Sequence, residues 1–300
     1  MKTIYHRPVM LEEAILGLNI NPDGIYVDVT FGGGGHSRAI LEKLSSKGRL
    51  LAFDQDEAAQ QNKIQDDRFQ LIHGNFMHLQ RFLKFYGIRA VDGILADFGV
   101  SSHQFDSGER GFSTRFEGPL DMRMDIQNPL TAHEVVNNYS PEALQNIFKS
   151  YGELRNAKKI ADQIVQQRTH SPIESTQALV DLLSPILPKH LFQKTIAQVF
   201  QAIRIEVNAE LDVIKSFLEQ AVEVLKKGGR VVCISYHSLE DRLVKVFIRE
   251  GKFEGRATSD LYGNRNLPLK KVGKMLAPSG EELEVNHRAR SGKLRIAERI

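Results

Sequence analysis

The chain of 300 residues has little cysteine, no long apolar stretch and no repetition, and each shortage removes a class of protein. Its single cysteine, Cys233, permits no internal disulfide and no zinc cluster of the usual spacing. Redox and structural-metal roles drop out, and no metal is expected. No apolar run approaches the ~18 residues that would cross a bilayer, and the opening MKTIYHR lacks the apolar stretch of a secretory signal. The expectation is a cytoplasmic protein with no membrane partner. What is present is 41% hydrophobic and 26% charged residues, a soluble globular composition with length for one large domain or two.

The formal charge is only +3, but it is unevenly spread. Residues 1–241 carry 26 Lys+Arg against 30 Asp+Glu, whereas residues 242–300 carry 14 against 7. Arg265, Lys270, Lys271, Lys274, Arg288, Arg290, Lys293 and Arg295 of this basic tail form a candidate phosphate-contacting face; a solvated surface is the plainer alternative.

Short apolar runs at 25–29, 50–53, 69–72 and 91–96 alternate with helical patterns at 37–44, 57–64 and 77–85. That rhythm predicts a parallel sheet in an α/β fold. It stops from 105 to about 207. There Gly108, Gly111, Gly118, Pro119 and Pro129 punctuate a loop, and apolar residues then recur at helical spacing, as in Leu144, Ile147, Phe148 and Tyr151. The segment reads as a helical insert. Beyond it, Leu211, Ile214, Leu218, Ala221, Val222 and Leu225 stripe one helix that ends at Lys226, Lys227 and Gly228. A strand at 230–235, a helix through Leu243 and a last strand at 294–297 follow.

Gly32, Gly33, Gly34, Gly35 and His36 stand between the first strand and the first helix, where the chain can approach a ligand's polar end closely. A complete G-x-G-x-x-G is missing, because the sixth position from Gly32 is Ser37. Asp28, Asp54 and Asp97 end the first, second and fourth predicted strands. In an open α/β sheet those ends line one crevice, and Asp54 is placed to bond ribose hydroxyls. Asp97-Phe98-Gly99 copies a kinase magnesium motif, but no H-R-D or V-A-I-K accompanies it. With neither a phosphate-cradling lysine loop nor a metal cluster, the pattern suits a sulfonium nucleoside better than a nucleoside triphosphate.

Taken in order, several long motifs resemble a known family. They are residues 6–13 (HRPVMLEE), 28–37 (DVTFGGGGHS), 73–76 (HGNF), 97–106 (DFGVSSHQFD), 110–113 (RGFS), 119–124 (PLDMRM), 200–208 (FQAIRIEVN), 228–242 (GGRVVCISYHSLEDR) and 288–295 (RARSGKLR). The chain is similar, nearly end to end, to the MraW/RsmH family of small-subunit (16S) ribosomal RNA cytosine-N4 methyltransferases. The resemblance implies a class I, Rossmann-like methyltransferase fold with a mostly parallel twisted sheet, using S-adenosyl-L-methionine. It implies cofactor contacts at Gly34, Gly35, His36, Asp54, Phe76, Asp97 and Gln104. It divides the chain into a discontinuous S-adenosylmethionine-binding domain, 1–106 with 207–300, and an insert, 107–206, for RNA recognition. The implied partner is 16S rRNA in the small ribosomal subunit or its precursor, met by a monomer or homodimer.

The exocyclic N4 of cytosine is a poor nucleophile, and an oxygen that accepts its N–H localises the lone pair and later takes the proton. Asp97, or a backbone carbonyl near it, is the candidate; the Asn/Asp-Pro-Pro-aromatic motif of many base amino-methyltransferases has no counterpart, since the chain holds no Pro-Pro pair. Tyr236 and His237 are further candidates at the end of the fifth strand, with capping of the next helix as the other role open to His237. Arg110, Arg115 and Arg123 make the 110–124 loop a candidate lid or RNA clamp. A catalytically silent RNA-binding or assembly factor, and a nicotinamide-dependent dehydrogenase, are the competing readings.

Overall fold

A computed structural model describes residues 8–101, 104–105, 108–258 and 265–300. The junction expected at 106–107 lies outside the described residues, as do parts of the 6–13 and 97–106 motifs. The chain divides into two compact units, one of Met1–Gly99 with Leu211–Ile300 and one of Val100–Glu210.

The first unit is built on a seven-stranded sheet of order β3-β2-β1-β4-β5-β7-β6. Its strands are β1 (Ile25–Asp28), β2 (Arg49–Asp54), β3 (Phe69–His73), β4 (Val91–Asp97), β5 (Leu225–Ser235), β6 (Leu269–Leu276) and β7 (Lys293–Arg299). Strands β1 to β5 run parallel, and β7 lies antiparallel between β5 and β6. This is the mixed α/β, class I arrangement that the sequence implied.

Successive side chains of a strand point to opposite faces, so a sheet covered on both sides needs near-continuous apolar runs. The runs supply them. Val27, Leu51, Phe53, Ile94, Val231 and Cys233 share a buried cluster with Ile214, Phe217, Leu218 and Ala221 of α9 (Glu210–Val224) and Val244 and Phe247 of α10 (Ser238–Glu250). Their neighbours Tyr26, Leu50, Ala52, Leu95, Val232 and Ile234 join a second cluster with Ala14 and Leu18 of α1 (Leu11–Leu18) and Ile40 and Leu41 of α2 (Gly35–Lys43).

Several segments depart from the sequence expectations, among them the end of α9, which closes at Val224, so that Lys226, Lys227 and Gly228, expected as its end, lie in β5. Residues 57–64, predicted as an α-helix, form only a 3-10 helix, Glu57–Asn62, begun by the Asp56 side chain accepting from the Ala58 N–H. Helix α1 carries no expected counterpart, because its eight residues are too few to show a period. Residues 269–276, read only as basic tail, are the edge strand β6, on which Lys270, Lys271 and Lys274 are exposed. A one-sided, lysine-rich edge does not display the apolar signature of a strand.

The second unit is helical: α4 (Ala132–Asn138), α5 (Pro141–Ser150), α6 (Ala157–Arg168), α7 (Thr176–Leu183) and α8 (Phe192–Asn208), with α3 (Leu79–Phe85) belonging to the first unit. Thr131, Ser140 and Ser175 cap α4, α5 and α7 by accepting backbone N–H groups, and Pro141 fills the first turn of α5 where its missing donor costs nothing. The apolar faces of these helices, including Leu144, Ile147, Phe148, Ile160, Leu179 and Ile203, close a core of their own. No described helix is long and apolar enough to cross a membrane.

Candidate active site

The turn after β1 is set by its glycines. Gly34 adopts φ +75° at the N-cap of α2, a left-handed conformation that side chains resist. At Gly35 a Cβ would come within 2.1 Å of Pro8 Cγ, so only hydrogen fits beneath the N-terminal segment. The loop is tied to its surroundings at both polar ends: the Gly32 N–H donates to Asp54 Oδ2 (2.8 Å), and the Gly32 carbonyl accepts from Asn62 Nδ2 (3.1 Å).

Three carboxylates stand at the carboxyl ends of β1, β2 and β4. Asp28 is buried and accepts from Ser37 Oγ (2.6 Å) and from the Thr30 N–H (3.1 Å), while burial raises its pKa. It orients the loop and the start of α2. Asp54 accepts from the Gly32 and Asp56 N–H groups (2.8 Å each), and burial pushes it up to about 6 against those two bonds. Each of its oxygens retains acceptor capacity for a further donor.

Asp97 sits among the most connected of these groups. Its N–H donates to Thr30 Oγ1 (2.7 Å), Oδ1 accepts from the Tyr236 hydroxyl (2.7 Å), and Oδ2 lies 3.8 Å from His36 Nδ1. Burial lifts the carboxyl to about 6, opposed by His36 and the Tyr236 bond. Tyr236 is held well above its ordinary range, first by burial and then by the Asp97 charge, so it stays a hydroxyl and a donor. His36 is buried with its Nε2 3.1 Å from the Val9 carbonyl, and burial lowers its pKa. The structure therefore gathers His36 and Tyr236 around Asp97.

The other candidates fall elsewhere. His237 is the N-cap of α10: its ring accepts from the Glu240 N–H, and the Glu240 carboxylate accepts from the Tyr236 (2.8 Å) and His237 (3.2 Å) N–H groups. Phe76, half-buried just beyond β3, meets Phe217 edge-on at 5.5 Å between ring centres. Gln104 belongs to the helical unit, where its Oε1 accepts from the Ser101 N–H (3.0 Å). Arg110 donates to the carbonyls of Arg123 and Met124, and Arg123 pairs with Asp121 (2.8 Å) and bonds the carbonyls of Ile126 and Asn128. Both guanidiniums thus hold their own loop, whereas Arg115 is exposed. Lys270, Lys271 and Lys274 on β6, and Arg288 and Arg290 on the following 3-10 turn, are exposed on the first unit. Among the groups not singled out from sequence are Thr30, Ser37 and Glu240. The last carries a readable signal, His237-Ser238-Leu239-Glu240, a cap with an acid three residues on.

The family description "MraW methylase family" matches residues 3–300. "Ribosomal RNA small subunit methyltransferase H" of Flavobacterium johnsoniae is 58% identical over 296 residues, covering 99% of this chain and 98% of its own. The protein of the same name from Christiangramia forsetii is 57% identical with the same coverage, and that of Flavobacterium psychrophilum is 56% identical over 97% of this chain and 100% of its own. With the glycine turn, the strand-end acids and the ordered motifs all inside a match that spans the chain, the protein belongs to the MraW methylase family.

Proposed function

We propose that this protein transfers a methyl group from S-adenosyl-L-methionine to N4 of a cytidine in 16S ribosomal RNA, within the small subunit or its precursor, in the cytoplasm. The observation that carries the reading is the Asp97 carboxylate, half-buried at the end of β4, oriented by the Tyr236 hydroxyl and with His36 Nδ1 3.8 Å from its other oxygen. The names borne by its relatives supply the nucleic acid.

The residues present fit the cosubstrate. A cationic nucleoside wants close backbone approach, acceptors for ribose hydroxyls and net negative surroundings. The glycine turn after β1 with Gly34 left-handed at the N-cap of α2, the remaining lone pairs of Asp54, and Asp28 with Asp97 meet those needs. Gly34, Gly35, His36, Asp54, Phe76, Asp97 and Gln104 are the residues proposed to hold it, and when bound it supplies an electrophilic methyl on a positively charged sulfur.

This chain's own groups do the rest. Ionised Asp97 accepts a hydrogen bond from the exocyclic amine, concentrates electron density on N4 and then receives the proton. Tyr236 keeps Oδ1 oriented while remaining protonated. A base stacked in a helix cannot reach such a carboxylate, so the target nucleotide is turned out of its stack. The helical insert, with Arg115 exposed on its first loop, is the proposed RNA-recognition part, and the basic residues of β6 and the 287–291 turn grip phosphates without reading sequence.

Nucleoside mass spectrometry of small-subunit RNA, from cells with and without the protein, tests the reading. Loss of one N4-methylated cytidine and its return on incubation with purified protein and S-adenosylmethionine is expected. An unchanged modification profile would overturn it.

A further inference from the structure

The contact between His36 and Asp97 has a consequence for the cosubstrate. The Val9 carbonyl can only accept, so His36 Nε2 at 3.1 Å carries a proton. In a neutral ring Nδ1 is then a bare lone pair, facing Asp97 Oδ2 at 3.8 Å. Two acceptors face one another there unless a proton lies between them. The groups around the pair also favour retaining that proton. Asp28 faces Asp97 from the end of β1 and Glu240 from α10, and Glu282 of α11 (Gly280–Val285) faces Tyr236, all of them acids. Tyr236 and Thr30 contribute neutral partners, and no described Lys or Arg is among the charges that act on Asp97.

We propose that His36 and Asp97 together hold one proton that exchanges with the positive charge of the cosubstrate: the pair is unprotonated with the sulfonium form bound and singly protonated with the thioether product bound. This rests on the reading of the protein as an S-adenosylmethionine-dependent methyltransferase. During transfer the C–S bond breaks with its electron pair left on sulfur, and the N4–C bond forms. One N4–H proton passes to Asp97, with His36 Nδ1 3.8 Å away as the other group of the pair that can hold it. The charge within the site stays constant from substrate to product.

Calorimetric titration of the full chain with S-adenosylmethionine and, separately, with S-adenosylhomocysteine between pH 5.5 and 7 tests this, below the range near pH 8 where an α-amino group titrates. Affinity for the sulfonium form should fall relative to the thioether as pH drops, approaching about tenfold per pH unit for one exchanged proton. Asp97→Asn, which cannot take the proton, should flatten that ratio. A ratio that stays constant in the unaltered protein while both ligands bind overturns the exchange alone, whatever the variant does. Failure of both ligands to bind at millimolar concentration instead overturns the methyltransferase reading, and the exchange with it.

Discussion

A carboxylate that is buried for chemistry weakens the fold that holds it, and Asp97 lets the two effects be separated. Its folded pKa is raised from 3.8 to about 6, so the native state binds the proton more tightly than the unfolded chain. The favourable contribution is full below pH 3.8 and is lost as pH rises through about 6. At neutral pH the ionised group costs roughly 1 to 3 kcal/mol, at about 1.4 kcal/mol per pH unit. Asp97→Asn should therefore raise the stability of the protein by that amount at pH 7, show no gain near pH 4, and abolish methyl transfer. Denaturant melts at the two pH values check it; an equal effect at both would remove burial as the cause. Of this constellation the glycines and strand-end acids were legible, because turns and strand ends are local punctuation. The Tyr236 bond to Asp97 was not, since it joins residues 139 apart in the chain and only tertiary structure makes them neighbours.

At the scale of elements, legibility followed burial. Strands β1 to β4 stood out because both of their faces are covered and their sequences are continuously apolar. Strand β6 hid behind its lysines. That exposure gives it a test: replacing Lys270, Lys271 and Lys274 with glutamine should leave the melting temperature unchanged, weaken RNA binding, and reduce the salt dependence of binding by up to about three counterions. An unaltered salt slope would clear the strand of phosphate contact. The 108–131 loop behaves differently, because Arg110 and Arg123 are structural ties. Arg110→Ala removes donors to the carbonyls of Arg123 and Met124 and should destabilise the protein by about 2 kcal/mol. An unchanged melt would show those bonds to be dispensable.

For the molecule as a whole, the two units have cores drawn from separate stretches of chain. The helical unit closes its core with residues between Val100 and Val207. Residues 100–210 expressed alone are expected to melt cooperatively with strong helical circular dichroism; a broad, featureless melt would show that this core needs the rest of the chain. The first unit has no such independence in sequence. Strand β4 pairs with β5 only across the whole insert, with Asp97 opposite Ile234 in the register. During synthesis the nascent protein holds β1 to β4, with their three acids, long before β5 exists. Tyr236 reaches Asp97 only after the insert has been made, so the bond that orients this carboxylate is completed late in the chain's own translation.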